Sequence, residues 1–193
     1  MVALADAVCA GRIPGAEITL VISDRADAGG LQLAAERNLT TLVIERRGGT
    51  RFEHEQKILK ALAEYSIDLI CLAGFMRLIS PEFVATYRGR ILNIHPSLLP
   101  AFPGRDAQRQ ALEHGVKWSG CTVHFVDETL DGGPIIVQHV VPIHNDDTVE
   151  ILAARILAEE HQAYPKAVML IIGGAYIITG RRVTILNNKT REE

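Results

Sequence analysis

Several features that assign a function quickly are missing from this sequence. It has only three cysteines, Cys9, Cys71 and Cys121, with no Cys-x-x-Cys pair, which suits reduced core residues better than disulfides or a zinc site. No stretch approaches the roughly 20 apolar residues that cross a bilayer, and the first residues lack the basic start and apolar run of a secretory signal. We therefore expect a cytoplasmic protein without a membrane span.

An excess of charge of one sign is also missing. Twenty Lys and Arg residues oppose 23 Asp and Glu residues, a formal net charge of -3, so nothing favours binding to a nucleic-acid backbone. The seven histidines include no His-Glu-x-x-His spacing, no Gly-x-x-x-x-Gly-Lys segment occurs, and Ser97 lacks a Gly-x-Ser-x-Gly elbow. These absences disfavour metal chemistry, nucleoside-triphosphate chemistry and serine hydrolysis.

Length and composition suit one domain over residues 1–193. A chain of this length buries most of the apolar surface of a single core. Hydrophobic residues make up 48% of the chain and charged residues 22%, the balance of an ordinary globular protein.

Short apolar runs alternate with helical periods in the first part of the chain. The runs at 18–22, 41–44 and 69–73 are typical of strands buried on both faces of a parallel sheet. Residues 52–65 carry apolar side chains at helical spacing among Glu and Lys, which predicts an amphipathic helix. The alternation predicts an α/β fold with a Rossmann-like, mostly parallel sheet flanked by helices.

The last third of the chain shows a different pattern. Runs 121–126 and 135–141 are joined by a short Gly-rich loop, and runs 176–178 and 183–186 by a Gly-Arg-Arg turn. Both pairs predict antiparallel strands in the C-terminal part.

A long helix is predicted between these two strand pairs. The segment at 147–150, Asp-Thr-Val-Glu, resembles a capping box that opens the helix. Pro165 is expected to interrupt the helix, and the polar tail from Asn187 is expected to fray.

One apolar strand carries two polar side chains, Asn93 and His95, which leave the same face because they are two residues apart. Two prolines follow, so both lie near the strand's carboxyl end, where open α/β sheets bind their ligands. Thr122 and His124 repeat this alternation on a later strand, and Asp131 follows on a Gly-rich turn. We expect these side chains to converge, although each alone is more often a structural hydrogen bonder.

The five side chains suit attack of an amine on a carbonyl-like carbon. The Asn93 amide can donate to the oxyanion of a tetrahedral intermediate, and a protonated His95 adds positive charge. The Asp131 carboxylate can support that charge and accept the proton that the amine loses. Thr122 and His124 would support this centre, and the reaction needs no covalent nucleophile.

With these residues in view, the chain resembles the folate-dependent glycinamide ribonucleotide formyltransferase family as far as about residue 170. Four motifs in order carry the resemblance: Leu-Ala-Gly-Phe-Met-Arg at 72–77, Asn-Ile-His-Pro-Ser-Leu-Leu-Pro at 93–100, His-Phe-Val at 124–126 and Leu-Asp-Gly-Gly-Pro at 130–134. The resemblance implies the formyltransferase fold, a role in purine biosynthesis, and catalysis by Asn93, His95 and Asp131.

The resemblance also implies two small-molecule substrates, 10-formyltetrahydrofolate and glycinamide ribonucleotide, with no metal. It assigns Glu160 to the ribose. It assigns the folate pocket to Arg51, Met76, Arg77, Leu78, Ile79, Asn93, Asp127, Glu128, Thr129, Leu130 and Asp131.

Several of these assignments have structural alternatives. Leu78 and its apolar neighbours Met76 and Ile79 fit a core, whereas Arg51 and Glu160 fit solvated helix charges.

One part of the family pattern has no counterpart here. Members begin with an apolar strand and a loop of the Gly-x-Gly-Ser-Asn kind that holds the ribonucleotide phosphate at a helix N-terminus. Residues 2–10 resemble the helix that follows that loop, so we expect no phosphate cradle in this chain. A strand missing from the middle of a parallel sheet would also leave edges unpaired.

Other activities fit parts of the pattern. A 10-formyltetrahydrofolate hydrolase shares the Asn, His and Asp, but looks to need an extra N-terminal regulatory domain. A methionyl-tRNA formyltransferase would need an RNA-binding domain and a basic surface. Loss of the phosphate loop would suit a non-catalytic folate-binding module. The oligomeric state stays open.

Overall fold

A computed structural model describes residues 1–46, 48–75 and 77–186, and within them helices alternate with strands. The described helices are α1 (Val2–Cys9), α2 (Gly29–Ala35), α3 (Arg51–Glu64), α4 (Pro81–Thr86), α5 (Ala107–Glu113) and α6 (Val149–Ile172). The described strands are β1 (Val21–Ser23), β2 (Thr41–Val43), β3 (Ile70–Leu72), β4 (Ile91–His95), β5 (Trp118–Phe125), β6 (Ile135–Pro142), β7 (Tyr176–Thr179) and β8 (Arg182–Ile185). The predicted α/β class is confirmed. None of these helices is long and apolar enough to cross a bilayer.

The described strands form two sheets. β1 and β2 pair in parallel as a two-stranded sheet, and the other six follow the order β3-β4-β5-β6-β8-β7. β3 and β4 are parallel, β5 is antiparallel to both β4 and β6, and β7 and β8 form an antiparallel pair. Parallel pairing therefore dominates the first part of the chain, and the predicted antiparallel strands lie in its C-terminal part.

The main core lies between the six-stranded sheet and α6. Val123 and Phe125 point from β5 towards this helix, where Leu152 and Ile156 are fully buried. The opposite face of β5 carries Thr122 and the other even-numbered residues, because strand side chains alternate. Because one face of β5 is buried in the core, only the side chains on its other face can contribute to a functional site.

Two predictions about α6 are wrong. The helix continues through Pro165 for 24 residues. Proline cannot donate to the preceding turn, but the turns around it are buried against the sheet, and this packing outweighs the lost hydrogen bond. The helix also begins without a capping box, because its N-cap is Thr148 and the third helical residue is Ile151, which has no carboxylate to return the hydrogen bond.

The first strands are shorter than predicted. β1 covers only Val21–Ser23, so residues 18–20 of the predicted apolar run 18–22 are not part of the strand. Among the described residues, no strand pairs with the second edge of β1 or with the outer edge of β3. The predicted unpaired edges are therefore present. The predictions for Met76 and for the tail from Asn187 concern residues outside the described ranges.

Candidate active site

Strands β4 and β5 bring four polar side chains to one face of the sheet. Asn93 lies opposite His124 and His95 opposite Thr122 in the antiparallel register. The Asn93 amide nitrogen Nδ2 is 3.4 Å from His124 Nε2. Pro96 follows β4 directly, so this polar pair stands where the strand ends and the chain turns away from the sheet.

Asp131 completes the cluster from the turn that joins β5 to β6. Its carboxylate lies between the two histidines, 3.5 Å from His95 Nδ1 and 3.8 Å from His124 Nε2. The Gly104 amide also donates to this carboxylate, at 2.8 Å. Asp131 has a left-handed backbone with φ of 49°, and a side chain at the neighbouring Gly133 would overlap the Phe125 carbonyl. Glycine at 133 is needed for this close turn.

The hydrogen bonds of His95 fix where its protons lie. Its Nε2 is 2.8 Å from the Phe102 carbonyl oxygen. A carbonyl only accepts, so Nε2 carries a hydrogen whether the ring is neutral or charged. A second proton on Nδ1 would face the Asp131 carboxylate. Two acceptors, one at each ring nitrogen, therefore position His95 beside Asp131.

The surroundings of His124 favour its neutral form. Its Nδ1 donates to the Phe125 carbonyl at 2.8 Å, which leaves Nε2 as the acceptor for the Asn93 amide in the neutral ring. Burial lowers the pKa of His124, although the Phe125 carbonyl and Asp131 oppose this shift. A neutral His124 thus orients Asn93 and leaves the second amide hydrogen of Asn93 free to donate.

Thr122 holds the segment that follows β4. Its buried hydroxyl accepts from the Leu99 amide at 3.0 Å and from Gln138 Nε2 at 2.9 Å, and donates to the Ser97 carbonyl at 2.7 Å. Ser97 in turn donates to the Ala101 carbonyl. Thr122 therefore shapes the loop at 97–104 that brings Phe102 and Gly104 to the cluster.

Sequence reasoning missed three contributors to this arrangement. Gln138 donates both to Thr122 and to the Leu99 carbonyl, at 2.9 Å each. Phe102 and Gly104 act through backbone atoms, which residue identity does not reveal. Of the three, only Gln138 could have been recognised from the sequence, because it is a polar residue at a strand position inside an apolar run.

The folate-pocket candidates fall into two groups. Arg51, Arg77, Leu78 and Ile79 line a cavity beside the carboxyl end of β3, whereas the segment 127–131 lies next to His95. A shared apolar cluster links them, since Ile79 and Val126 pack against the same buried residues of α3, α4 and β4.

The charged members of the folate candidates already have protein partners. Arg77 pairs with Asp24, Glu128 with Arg88 at 3.0 Å, and Asp127 accepts from both the amide and the hydroxyl of Thr129. Arg51 lies 3.6 Å from Glu55. Leu78 and Leu130 are more than half exposed, so they present apolar surface to the solvent beside these charges.

Glu160 lies on α6, on the side of the helix that approaches the α-amine of Met1 and Cys121 of β5. One turn further on, the Tyr164 hydroxyl contacts the carbonyls of Leu72 and Leu92, at 2.8 and 3.0 Å. Burial raises the pKa of Glu160, and the positive α-amine of Met1 opposes this shift. Glu160 is thus half-buried on α6 rather than fully exposed to solvent.

Proton transfer and charge stabilisation are the chemistry that these side chains offer. Within the part of the chain that the structure describes, no three His, Cys, Asp or Glu side chains are arranged to hold a metal ion.

Comparison with known proteins places this geometry in a family. Residues 1–168 match the family model described as formyl transferase. The chain is 48% identical over 161 residues to the trifunctional purine biosynthetic protein adenosine-3 of Gallus gallus, covering 83% of the chain but 16% of that relative. It is 40% identical over 173 residues to the phosphoribosylglycinamide formyltransferase of Escherichia coli, covering 89% of the chain and 81% of the relative.

A solved structure agrees with these relatives. The crystal structure of glycinamide ribonucleotide transformylase 1 from Symbiobacterium toebii matches with a TM-score of 0.93 and 51% identity, over 96% of this chain and 88% of that chain. The chain therefore belongs to the formyl transferase family.

Proposed function

We propose that the chain transfers the formyl group of 10-formyltetrahydrofolate to the amine of glycinamide ribonucleotide. The observation that carries the proposal is the convergence of Asn93, His95 and Asp131 on one face at the end of β4. Relatives named as formyltransferases of this ribonucleotide support the acceptor and the group that is transferred. The chain spans 16% of the trifunctional relative's length, and the activity proposed here is the formyl transfer alone. It acts on small molecules in the cytoplasm, without nucleic acid.

The reaction begins when the ribonucleotide amine attacks the formyl carbon and a new carbon–nitrogen bond forms. The free amide hydrogen of Asn93 and the charged ring of His95 stabilise the oxyanion of the tetrahedral intermediate. Asp131 supports the charge on His95 and takes the proton that the amine loses. The bond from the formyl carbon to N10 of the folate then breaks, and N10 receives that proton.

The two substrates bind around this centre. The folate lies across Leu78, Ile79 and the segment 127–131, together with Arg51, Arg77 and Asn93. Met76 belongs to the same proposed pocket. Glu160 meets the ribose of the ribonucleotide, and its half-buried position on α6 supports a role beyond that of a solvated charge.

The test mixes the protein with 10-formyltetrahydrofolate, with and without glycinamide ribonucleotide, and follows the folate absorbance. We expect turnover only when the ribonucleotide is present. Turnover with water alone would replace the proposal with a hydrolase, and no turnover would leave a folate-binding module. The matched variant Asn93→Ala should lose about 3–4 kcal/mol of transition-state stabilisation, the usual cost of one oxyanion donor. Loss of folding in that variant would instead make Asn93 structural.

A further inference from the structure

A buried carboxylate on α3 contacts two parts of the proposed folate pocket. Glu55 lies one turn after Arg51, and its side chain is only 7% exposed. Glutamate is rarely buried to this extent unless its charge has partners. The proposed chemistry gives Glu55 no part, so its burial needs a different explanation, and its two contacts supply one.

The first contact holds the segment that follows β3. Glu55 Oε1 accepts a hydrogen bond from the Ser80 amide at 3.1 Å. Ser80 is also the N-cap of α4, where its hydroxyl accepts from the Phe83 amide at 3.2 Å. Leu78 and Ile79, which are proposed to bind the folate, directly precede Ser80. Glu55 therefore fastens this part of the pocket to α3.

The second contact is an ion pair with Arg51. Arg51 Nε lies 3.6 Å from the same oxygen of Glu55, and the arginine side chain is 44% exposed. The backbone at this point is fixed, because Thr50 and Glu53 form a capping box at the start of α3. A contact at Nε does not occupy the two terminal nitrogens of the guanidinium, which suit a ligand carboxylate in bidentate geometry.

We propose that Glu55 is a positioning residue for the folate, an inference that rests on the proposed function. Folate carries its negative charge in the carboxylates of its glutamate tail. Arg77, the other cation of the proposed pocket, already pairs with Asp24, so Arg51 is the better placed to bind this tail. The buried carboxylate of Glu55 orients Arg51 in advance and thereby lowers the rotamer entropy lost on binding. Glu55 should therefore strengthen folate binding without changing kcat.

The test titrates the full chain and its Glu55→Gln variant with tetrahydrofolate and with the carboxamide of tetrahydropteroic acid, which has no carboxylate. Glutamine keeps an acceptor for the Ser80 amide but removes the charge that orients Arg51. Calorimetry should show that the tetrahydrofolate Kd rises roughly three- to tenfold, within the range for residues coupled in one salt-bridge network. The carboxamide Kd and kcat should not change. Glu64→Gln, which alters an exposed carboxylate of the same helix, should change neither Kd.

A double-mutant cycle shows whether Glu55 acts through Arg51. Arg51→Met should raise the tetrahydrofolate Kd about tenfold or more, the usual cost of a charge-assisted hydrogen bond, and adding Glu55→Gln should raise it no further. Additive effects, equal increases for both ligands, an unchanged Kd or a Glu55→Gln chain that does not fold would overturn the positioning role alone. A parent chain that binds neither ligand would overturn the proposed function together with this inference.

Discussion

At the scale of single residues, the site holds two histidines whose hydrogen-bond partners give them different electrical roles. His95 donates one ring hydrogen to a carbonyl and faces a carboxylate with its other nitrogen. His124 donates to the carbonyl of its own neighbour and faces the Asn93 amide. One ring is thereby placed to carry charge, and the other to stay neutral and orient the oxyanion donor.

Asp131→Asn should lower kcat about 100- to 10,000-fold, the usual contribution of a general acid–base group. Asparagine tolerates the left-handed backbone at this position and keeps an acceptor for the Gly104 amide, so folding and the folate Kd should change little. Steady-state kinetics and folate titration measure the two quantities. The surface variant Asp146→Asn is the control. An unchanged kcat in the Asp131 variant would remove this carboxylate from the mechanism.

His124→Gln should flatten the pH dependence of stability below pH 6.5. Burial lowers the pKa of His124 in the folded chain below its ordinary value of 6.5. As pH falls from about 6.5 towards the folded pKa, the unfolded chain takes up the proton first, so the parent loses stability in that window. Urea unfolding from pH 5 to pH 8 measures it. The other histidines are common to both proteins, so equal slopes would show that His124 is not held neutral.

At the scale of elements, the site depends on the loop at 97–104 being fastened to β5 and β6. Gln138 makes two of the fastening bonds, to Thr122 and to the Leu99 carbonyl. The same loop carries the Phe102 carbonyl to His95 and the Gly104 amide to Asp131. A side chain on β6 therefore positions the backbone groups that contact the proposed catalytic pair, His95 and Asp131.

Gln138→Leu should lower stability by about 1–3 kcal/mol, because it leaves a buried carbonyl without its donor. It should also lower kcat more than it raises the KM for folate, since the loosened loop no longer holds His95. Urea unfolding and steady-state kinetics measure both effects. Gln32→Leu, which breaks only an exposed bond to Glu36, is the control. A stability loss with an unshifted pH profile and unchanged kcat would make Gln138 structural only.

Local pattern was enough to predict some elements and not others. The period-two spacing of Asn93 and His95 placed both on one face of β4, and repetition at Thr122 and His124 predicted their convergence. The prediction for Pro165 was wrong because α6 continues through it, and the tertiary burial of the surrounding turns cannot be read from local sequence. The contacts of the loop at 97–104 with Gln138 join residues about 40 positions apart through backbone atoms, which no spacing rule predicts.

At the scale of the whole molecule, the described strands fall into two sheets, and the proposed catalytic cluster lies on the larger one. The proposed folate pocket takes residues from the start of α3, from β4 and from the segments that follow β3 and β5. The two proposed substrates would therefore meet where β4 ends and where the chain turns from β5 to β6.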